Sequence, residues 1–276
     1  MRAPGTTKED RGSAAGDLPV AFGGEAVLFD CLGTLVHLLS PAPRLRAELR
    51  RRADVEVSER AASAAFTAEI GYYLEHHLAG HDARSLAELR DRCAAVVAVS
   101  LGLRDLPLAT VREAMLGAIE FAAYADAAPA LRELRAAGVR LVAASNWDCS
   151  LPSVLGRVGL APLLDGVVSS AVAGAAKPDE RLFRAALEAA GVEPARAVFV
   201  GDSLERDVAG AQAAGMRALL LDRGAGSAGE CRGDGDGEPV ARSHTAAAVR
   251  PEALGGRAID GDVRVIWTLA QLRSLT

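Results

Sequence analysis

The sequence predicts an α/β protein, a parallel sheet buried on both faces with an all-α insertion, and three observations lead there. From Asp126 onward, short apolar runs alternate with helix-like segments that close on glycine. That alternation is the pattern of βαβ units, whose strands are covered by helices on both sides and are therefore apolar throughout. One further run of this kind, AVLFD at residues 26–30, stands far upstream. The stretch between it and Asp126 has helical periodicity and no clear strand.

Taken in order, the first 24 residues are polar, rich in Gly and Ala and without period, which predicts a disordered tail over 1–24. AVLFD is the first strand. The segments RLRAELRRRA, SERAASAAFTAEIGYYLEHHLAG, SLAELRDRCAAVVAVSLG and LATVREAMLGAIEFAA then read as four amphipathic helices. Together they predict a helical subdomain over 38–125 that roofs the strand ends. From Asp126, DAAPALRELRAAG, LPSVLGRVG, ERLFRAALEAAG and ERDVAGAQAAG read as helices, between the strand-like VRLVAASN, GVVSS, AVFVGD and RALLLD. Residues 224–262, rich in Gly, Asp and Ser, precede a last strand-like run, VRVIWTL, and predict a flexible loop. Its DGDGE lacks a full set of calcium-loop ligands and reads as solvated linker. The α/β core is thus expected over 25–37 and 126–276.

Composition narrows the function. A chain of 276 residues, half of them hydrophobic, buries a substantial core. Its net charge of −5, with arginines scattered along helices, argues against binding nucleic acid or an anionic membrane surface. No apolar stretch is long enough to span a bilayer and the N-terminus lacks the apolar segment of a secretory signal, so a cytoplasmic protein is expected. Cys31, Cys93, Cys149 and Cys231 lie far apart, without metal-ligand spacing, and read as free thiols. What remains is small-molecule chemistry.

In an open parallel sheet, ligands gather outside the carboxyl ends of the strands. Four apolar runs end at or just before polar groups there: AVLFD in Asp30, LVAAS in Ser145, AVFVGD in Asp202, and GVVSS upstream of the GAAKPD that carries Lys177. Singly, each has an ordinary structural explanation, because Asp and Ser cap helices and form turns and a Lys before Pro is commonly a solvated loop residue. Their order along the chain gives them a common meaning.

FDCLGTLV, SNWD, KPD and GDSLERD resemble the four ordered motifs of the haloacid dehalogenase superfamily of hydrolases, and the helical insertion resembles the helical cap of its subfamily IA type. The resemblance runs from Val27 to Asp222. It implies a Rossmann-like core with the site beneath the cap, and a Mg²⁺-dependent phosphatase acting on a small phosphate ester. By that resemblance Asp30 is the nucleophile. Asp30, the backbone carbonyl of Leu32 and Asp202 hold Mg²⁺, with Asp207 behind them. Thr34 and Ser145 hydrogen-bond the phosphoryl group, Asn146 shapes the site and Lys177 supplies positive charge to the phosphoryl oxygens. The chemistry is coherent: a carboxylate attacking phosphorus divides one hard displacement into two easier ones. Two anions meet only if a hard cation and a fixed ammonium neutralise the approach. Lys177 stands out because the chain's one other lysine is Lys8.

One position departs from the pattern. Phosphatases of the superfamily usually carry a second aspartate two residues after the nucleophile, which protonates the leaving group and then activates water; here that residue is Leu32. General acid–base assistance is worth about 10²–10⁴-fold, or roughly 3–5 kcal/mol, so slow turnover is expected. Two alternatives follow. A 2-haloacid dehalogenase also lacks the second aspartate, but it usually has a tyrosine at the Leu32 position and no acidic GDxxxxD motif. A non-catalytic member would bind a phosphorylated ligand or a protein and release no phosphate. A third, phosphonate cleavage through a cap lysine, is excluded because 38–125 contains no lysine. His37, His76, His77 and His81 are candidate substitutes for the missing acid, although EHHLAGH lies near a helix end, where histidines commonly meet water or terminal carbonyls. Tyr72 and Tyr73 point in different directions, so at most one faces the site. Trp147 and Asp148 either line the pocket or begin the next helix.

Overall fold

The computed structural model describes residues 24–224 and 263–275. The expectations for the 1–24 tail and the 224–262 loop, and Cys231 with them, therefore lie outside the described residues except at Gly24 and Gly224. The chain enters through β1 (Ala26–Phe29), turns tightly, and forms β2 (Val36–Leu38). Four helices follow: α1 (Pro41–Ala53), α2 (Glu59–His76), α3 (Ala83–Leu101) and α4 (Leu108–Ala118). After β3 (Phe121–Ala123) come α5 (Ala127–Ala136), β4 (Arg140–Ser145), α6 (Leu151–Arg157), β5 (Gly166–Ser169), a short α7 (Ser170–Ala173) and α8 (Glu180–Ala190). The chain closes with β6 (Ala197–Gly201), α9 (Gly210–Ala213), β7 (Arg217–Leu221) and β8 (Arg264–Ile266).

All six apolar runs become strands of one parallel sheet in the order β5-β4-β1-β6-β7-β8. The central strand β1 has no exposed residue: Ala26 and Leu28 pack on one face with Val142, Phe183 and Phe199, and Val27 and Phe29 on the other with Leu131, Leu141 and Leu151. Burying each of these large side chains is worth about 1.5–3 kcal/mol, which explains why the run tolerates no polar residue before Asp30. Within this sheet β1 and β4 follow one another along the chain and pair directly, across a crossover that includes the whole helical insertion.

The helices form where the sequence caps them. Ser58 accepts the Ala61 amide at the start of α2, and Asp82 with Ser85 closes a reciprocal capping box on α3. Gly102, at φ +69°, lets α3 terminate in a left-handed turn. Between them the helices bury Leu45, Leu49, Phe66, Leu89, Val97, Val111 and Met115 in a core of their own.

The run LATVREAMLGAIEFAA, expected to be one helix, departs from that reading. It stops at Ala118, and Phe121–Ala123 pair antiparallel with β2, Val36 opposite Ala123 and Leu38 opposite Phe121. The apolar spacing of IEFAA suits either state, and the exposed ladder of β2 decides it, with the Leu39 amide donating to the Glu120 carbonyl. This two-stranded ribbon carries both chain crossings between sheet and helices. No helix among the described residues is long and apolar enough to cross a membrane.

Candidate active site

The sequence-predicted residues from the four motifs converge at the carboxyl edge of β1, β4 and β6. Asp30 follows β1 directly, and its amide donates to the Val200 carbonyl of β6. Its carboxylate Oδ1 accepts from Ser145 Oγ at 2.8 Å and from Lys177 Nζ at 2.5 Å. Lys177 Nζ also lies 2.6 Å from Asp207 Oδ1. Asp30, Ser145, Lys177 and Asp207 are all buried, which makes these charge-assisted contacts strong and their partners indispensable.

The turn after β1 is held against the fourth motif by glycine. Gly33 sits at φ +88°, and a Cβ there would fall 2.0 Å from Asp202 Oδ2. Gly201 does the same for Asp207, since a Cβ on it would fall 2.4 Å from that carboxylate. Downstream, a π-helical turn over Leu204–Ala209 brings Asp207 back so that its Oδ2 accepts the Ser203 amide. Asp30, Asp202 and Asp207 thereby offer oxygens within 4.8 Å of one another.

Three carboxylates face one ammonium, and the electrostatics register the imbalance. Burial, then the charges of Asp30 and Asp207, push the Asp202 carboxyl up to about 8. Burial also raises Asp207, against the pull of Lys177. Burial alone would lower Lys177, but Asp207 and Asp30 outweigh it and hold the ammonium well above its usual range. The cluster of hard oxygen donors, whose raised carboxyls a cation would draw back to the charged form, fits a divalent cation such as Mg²⁺.

Thr34 is fully buried, and its hydroxyl oxygen has no hydrogen-bond partner among the described residues. Such an orphan is costly unless a ligand supplies the partner. Asn146 acts on the backbone of Lys177, accepting from its amide at 2.7 Å and donating to its carbonyl at 3.1 Å. Leu32 bridges to Val36 through its backbone and is 37 % exposed.

The histidines are engaged elsewhere. Nδ1 of His76 donates to the Tyr72 carbonyl and Nδ1 of His77 to that of Leu74, the helix-end role anticipated for EHHLAGH. His81 is exposed beside Asp82. His37 lies on β2 with its ring 4.9 Å from Tyr124, and burial followed by the Arg223 charge pushes it down. Of the two tyrosines, Tyr72 stacks on His76 while Tyr73 reaches Asp148 in the core. Trp147 is buried against Phe121 rather than lining an opening, and Asp148 accepts the Ser150 amide at the start of α6.

Arg223 was missed from sequence. Placed two residues past β7, it donates through Nη2 to the Thr34 carbonyl at 2.6 Å, pairs with Asp126 and lies 3.7 Å over the Tyr124 ring. Asp126 in turn accepts from Thr268 Oγ1 and the Leu269 amide. The signal was available, since RALLLDR is another apolar run that closes in charge at the same sheet edge.

The sequence model of the haloacid dehalogenase-like hydrolase family matches residues 25–215. Among curated proteins, "Haloacid dehalogenase-like hydrolase domain-containing protein 3" of Bos taurus is 45 % identical over 91 residues, 33 % of this chain and 36 % of that protein. The "Phosphoserine phosphatase" of Thermus thermophilus is 43 % identical over 103 residues, 37 % of this chain and 41 % of its own. These alignments thus span well under half the length of either relative. A crystal structure of a HAD phosphatase from Thermococcus onnurineus shares the fold at TM-score 0.55 and 24 % identity, covering 91 % of this chain and 97 % of that one. With four converging motifs and a family match over most of its length, the chain belongs to the haloacid dehalogenase-like hydrolases.

Proposed function

We propose that the protein is a Mg²⁺-dependent phosphatase that hydrolyses a small phosphate ester through an aspartyl-phosphate on Asp30. The observation that carries this is the Asp30 carboxylate, fixed by Ser145 and Lys177 within an acidic trio and beside the orphaned hydroxyl of Thr34. Similarity to a protein named phosphoserine phosphatase supports it. Asp30, the Leu32 carbonyl and Asp202 would hold the cation, with Asp207 behind them; when bound, Mg²⁺ neutralises phosphoryl charge.

Both described hydrogen bonds to the Asp30 carboxylate fall on Oδ1, which leaves Oδ2 to attack phosphorus. The bond to the ester oxygen breaks, and that oxygen departs with the electron pair. Thr34 donates to the transferring phosphoryl group, the Ser145 hydroxyl turns its one proton from Asp30 Oδ1 to that group as Asp30 becomes phosphorylated, and Lys177 balances the group's charge. Water then attacks the aspartyl-phosphate, releasing phosphate and restoring Asp30. Leu32 offers no proton to the leaving oxygen, so substrates with good leaving groups are favoured. A haloacid fits less well, because three carboxylates repel an anion that brings no cation. The buried free thiols of Cys31 and Cys93 suit a reducing, cytoplasmic setting.

Phosphate release from an aryl phosphate, with Mg²⁺ or with chelator, tests the proposal on wild type and Asp30→Asn. Release that needs both the metal and Asp30 supports it. No release by wild type under any metal condition overturns it, and haloacid turnover without metal would replace it.

A further inference from the structure

The segment Ser145–Cys149, just past β4, touches a different part of the molecule at every residue. Ser145 holds Asp30, and Asn146 clamps the backbone of Lys177. The Trp147 amide donates to Ser170 Oγ, and its carbonyl accepts from the Ser170 hydroxyl and the Ala171 amide. The next two residues turn to the helical insertion. Tyr73 Oη donates to Asp148 Oδ2 at 3.0 Å and accepts from the Asp148 amide at 3.2 Å, and the Cys149 amide donates to the Gly80 carbonyl at 2.8 Å.

The close fit is built into the sequence. A Cβ on Gly80 would lie 2.9 Å from Asp148 Cβ and 3.1 Å from Leu89, so a side chain there would force the insertion away from the loop. Asp148 is buried, and its other carboxylate oxygen accepts the Ser150 amide, so the group Tyr73 grips is itself fixed. Tyr73 belongs to α2, a helix whose remaining contacts lie largely within the insertion. One hydroxyl thus joins that helix to the segment carrying Ser145 and Asn146.

We propose that Tyr73 is a positioning residue: by bridging the amide and carboxylate of Asp148 it holds the 145–149 segment so that Ser145 and Asn146 keep Asp30 and Lys177 in register for phosphoryl transfer. This rests on the phosphatase reading for its catalytic consequence, while the anchoring itself does not. Tyr73 touches no reacting atom and acts through Asp148.

Tyr73→Phe keeps the ring and removes the bridge, and Tyr72→Phe on the same helix is the control. Two measurements are made on the full chain. Amide hydrogen exchange is read at Cys149 and Lys177, whose own acceptors, Gly80 and Asn146, both variants leave in place. Steady-state hydrolysis of an aryl phosphate with Mg²⁺ is read as separate kcat and KM. In Tyr73→Phe we expect exchange at both amides to accelerate at least fivefold and kcat to fall about tenfold with KM within twofold, while Tyr72→Phe matches wild type. Unchanged exchange in Tyr73→Phe overturns the anchoring. Faster exchange with unchanged kcat overturns the positioning role. If wild type itself releases no phosphate, the proposed function fails, and with it the catalytic half of the inference; the exchange comparison alone then decides whether Tyr73 holds the loop.

Discussion

The sheet edge and the helical insertion both bury ionisable groups, but among the described residues only the sheet edge crowds carboxyls around a buried ammonium. At the sheet edge Asp30, Asp202 and Asp207 crowd together, their mutual repulsion adds to burial in raising Asp202, and Lys177 pairs with Asp30 and Asp207. In the insertion, burial pushes the Glu69 carboxyl up to about 7, opposed by its hydrogen bond with Cys93, and raises the Cys93 thiol and the Tyr73 hydroxyl, so this polar stripe is held close to neutral. Buried charge is expensive, and a fold retains it where something is to be bound or moved. The contrast separates a region built for chemistry from one built for placement.

Asp30→Asn strikes hardest at the charged sheet edge. It removes the nucleophile and should lower phosphate release by about 10³-fold or more, measured as initial rate with an aryl phosphate. Next, Lys177→Met strips the cluster of its only described ammonium. Buried charges left without a partner cost about 3–5 kcal/mol, so the urea midpoint should fall sharply in chelator and recover in part with Mg²⁺. A midpoint indifferent to Mg²⁺ would argue against the acidic trio as the cation site.

Leu32→Asp works in the other direction, adding the absent acid to the same edge. Its rate on an alkyl phosphate should rise by about 10²-fold, and by much less on an aryl phosphate, whose leaving group needs little help. The mildest change lies in the insertion. Glu69 has an ordinary value of 4.5 and is raised to about 7 in the fold, so the folded state holds the proton longer than the unfolded one. Stability linked to Glu69 is therefore full below pH 4.5, falls as pH rises toward 7 and is level above. Glu69→Gln should flatten that slope and stabilise the protein at about pH 8 by at most about 3 kcal/mol, measured by denaturation across pH.

Much of the fold was legible because strands of a doubly covered sheet must be apolar along their whole length, and AVLFD, VRLVAASN, GVVSS, AVFVGD, RALLLD and VRVIWTL are the runs that comply. Asp30, Ser145 and Asp202 were legible for the complementary reason, that polarity at the end of such a run is exposed at the sheet's carboxyl edge. IEFAA was misread because its spacing serves helix and strand alike, and the ladder offered by β2 settled it. Arg223 escaped notice, and Tyr73 reads from sequence only as one of two tyrosines of the insertion of which at most one faces the site, since each acts through a partner distant in sequence, Thr34 for one and Asp148 for the other.

Local periodicity and the chemistry of single side chains were enough to specify the parallel sheet, the helical character of the insertion and the residue types at each strand end. Packing had to add that Asp30 and Asp207 share one lysine beside Asp202, that Gly33 must be glycine to pass Asp202, and that Tyr73 clasps the loop bearing Ser145. Those are distances between segments far apart in the chain, and no local pattern encodes a distance until the fold has closed.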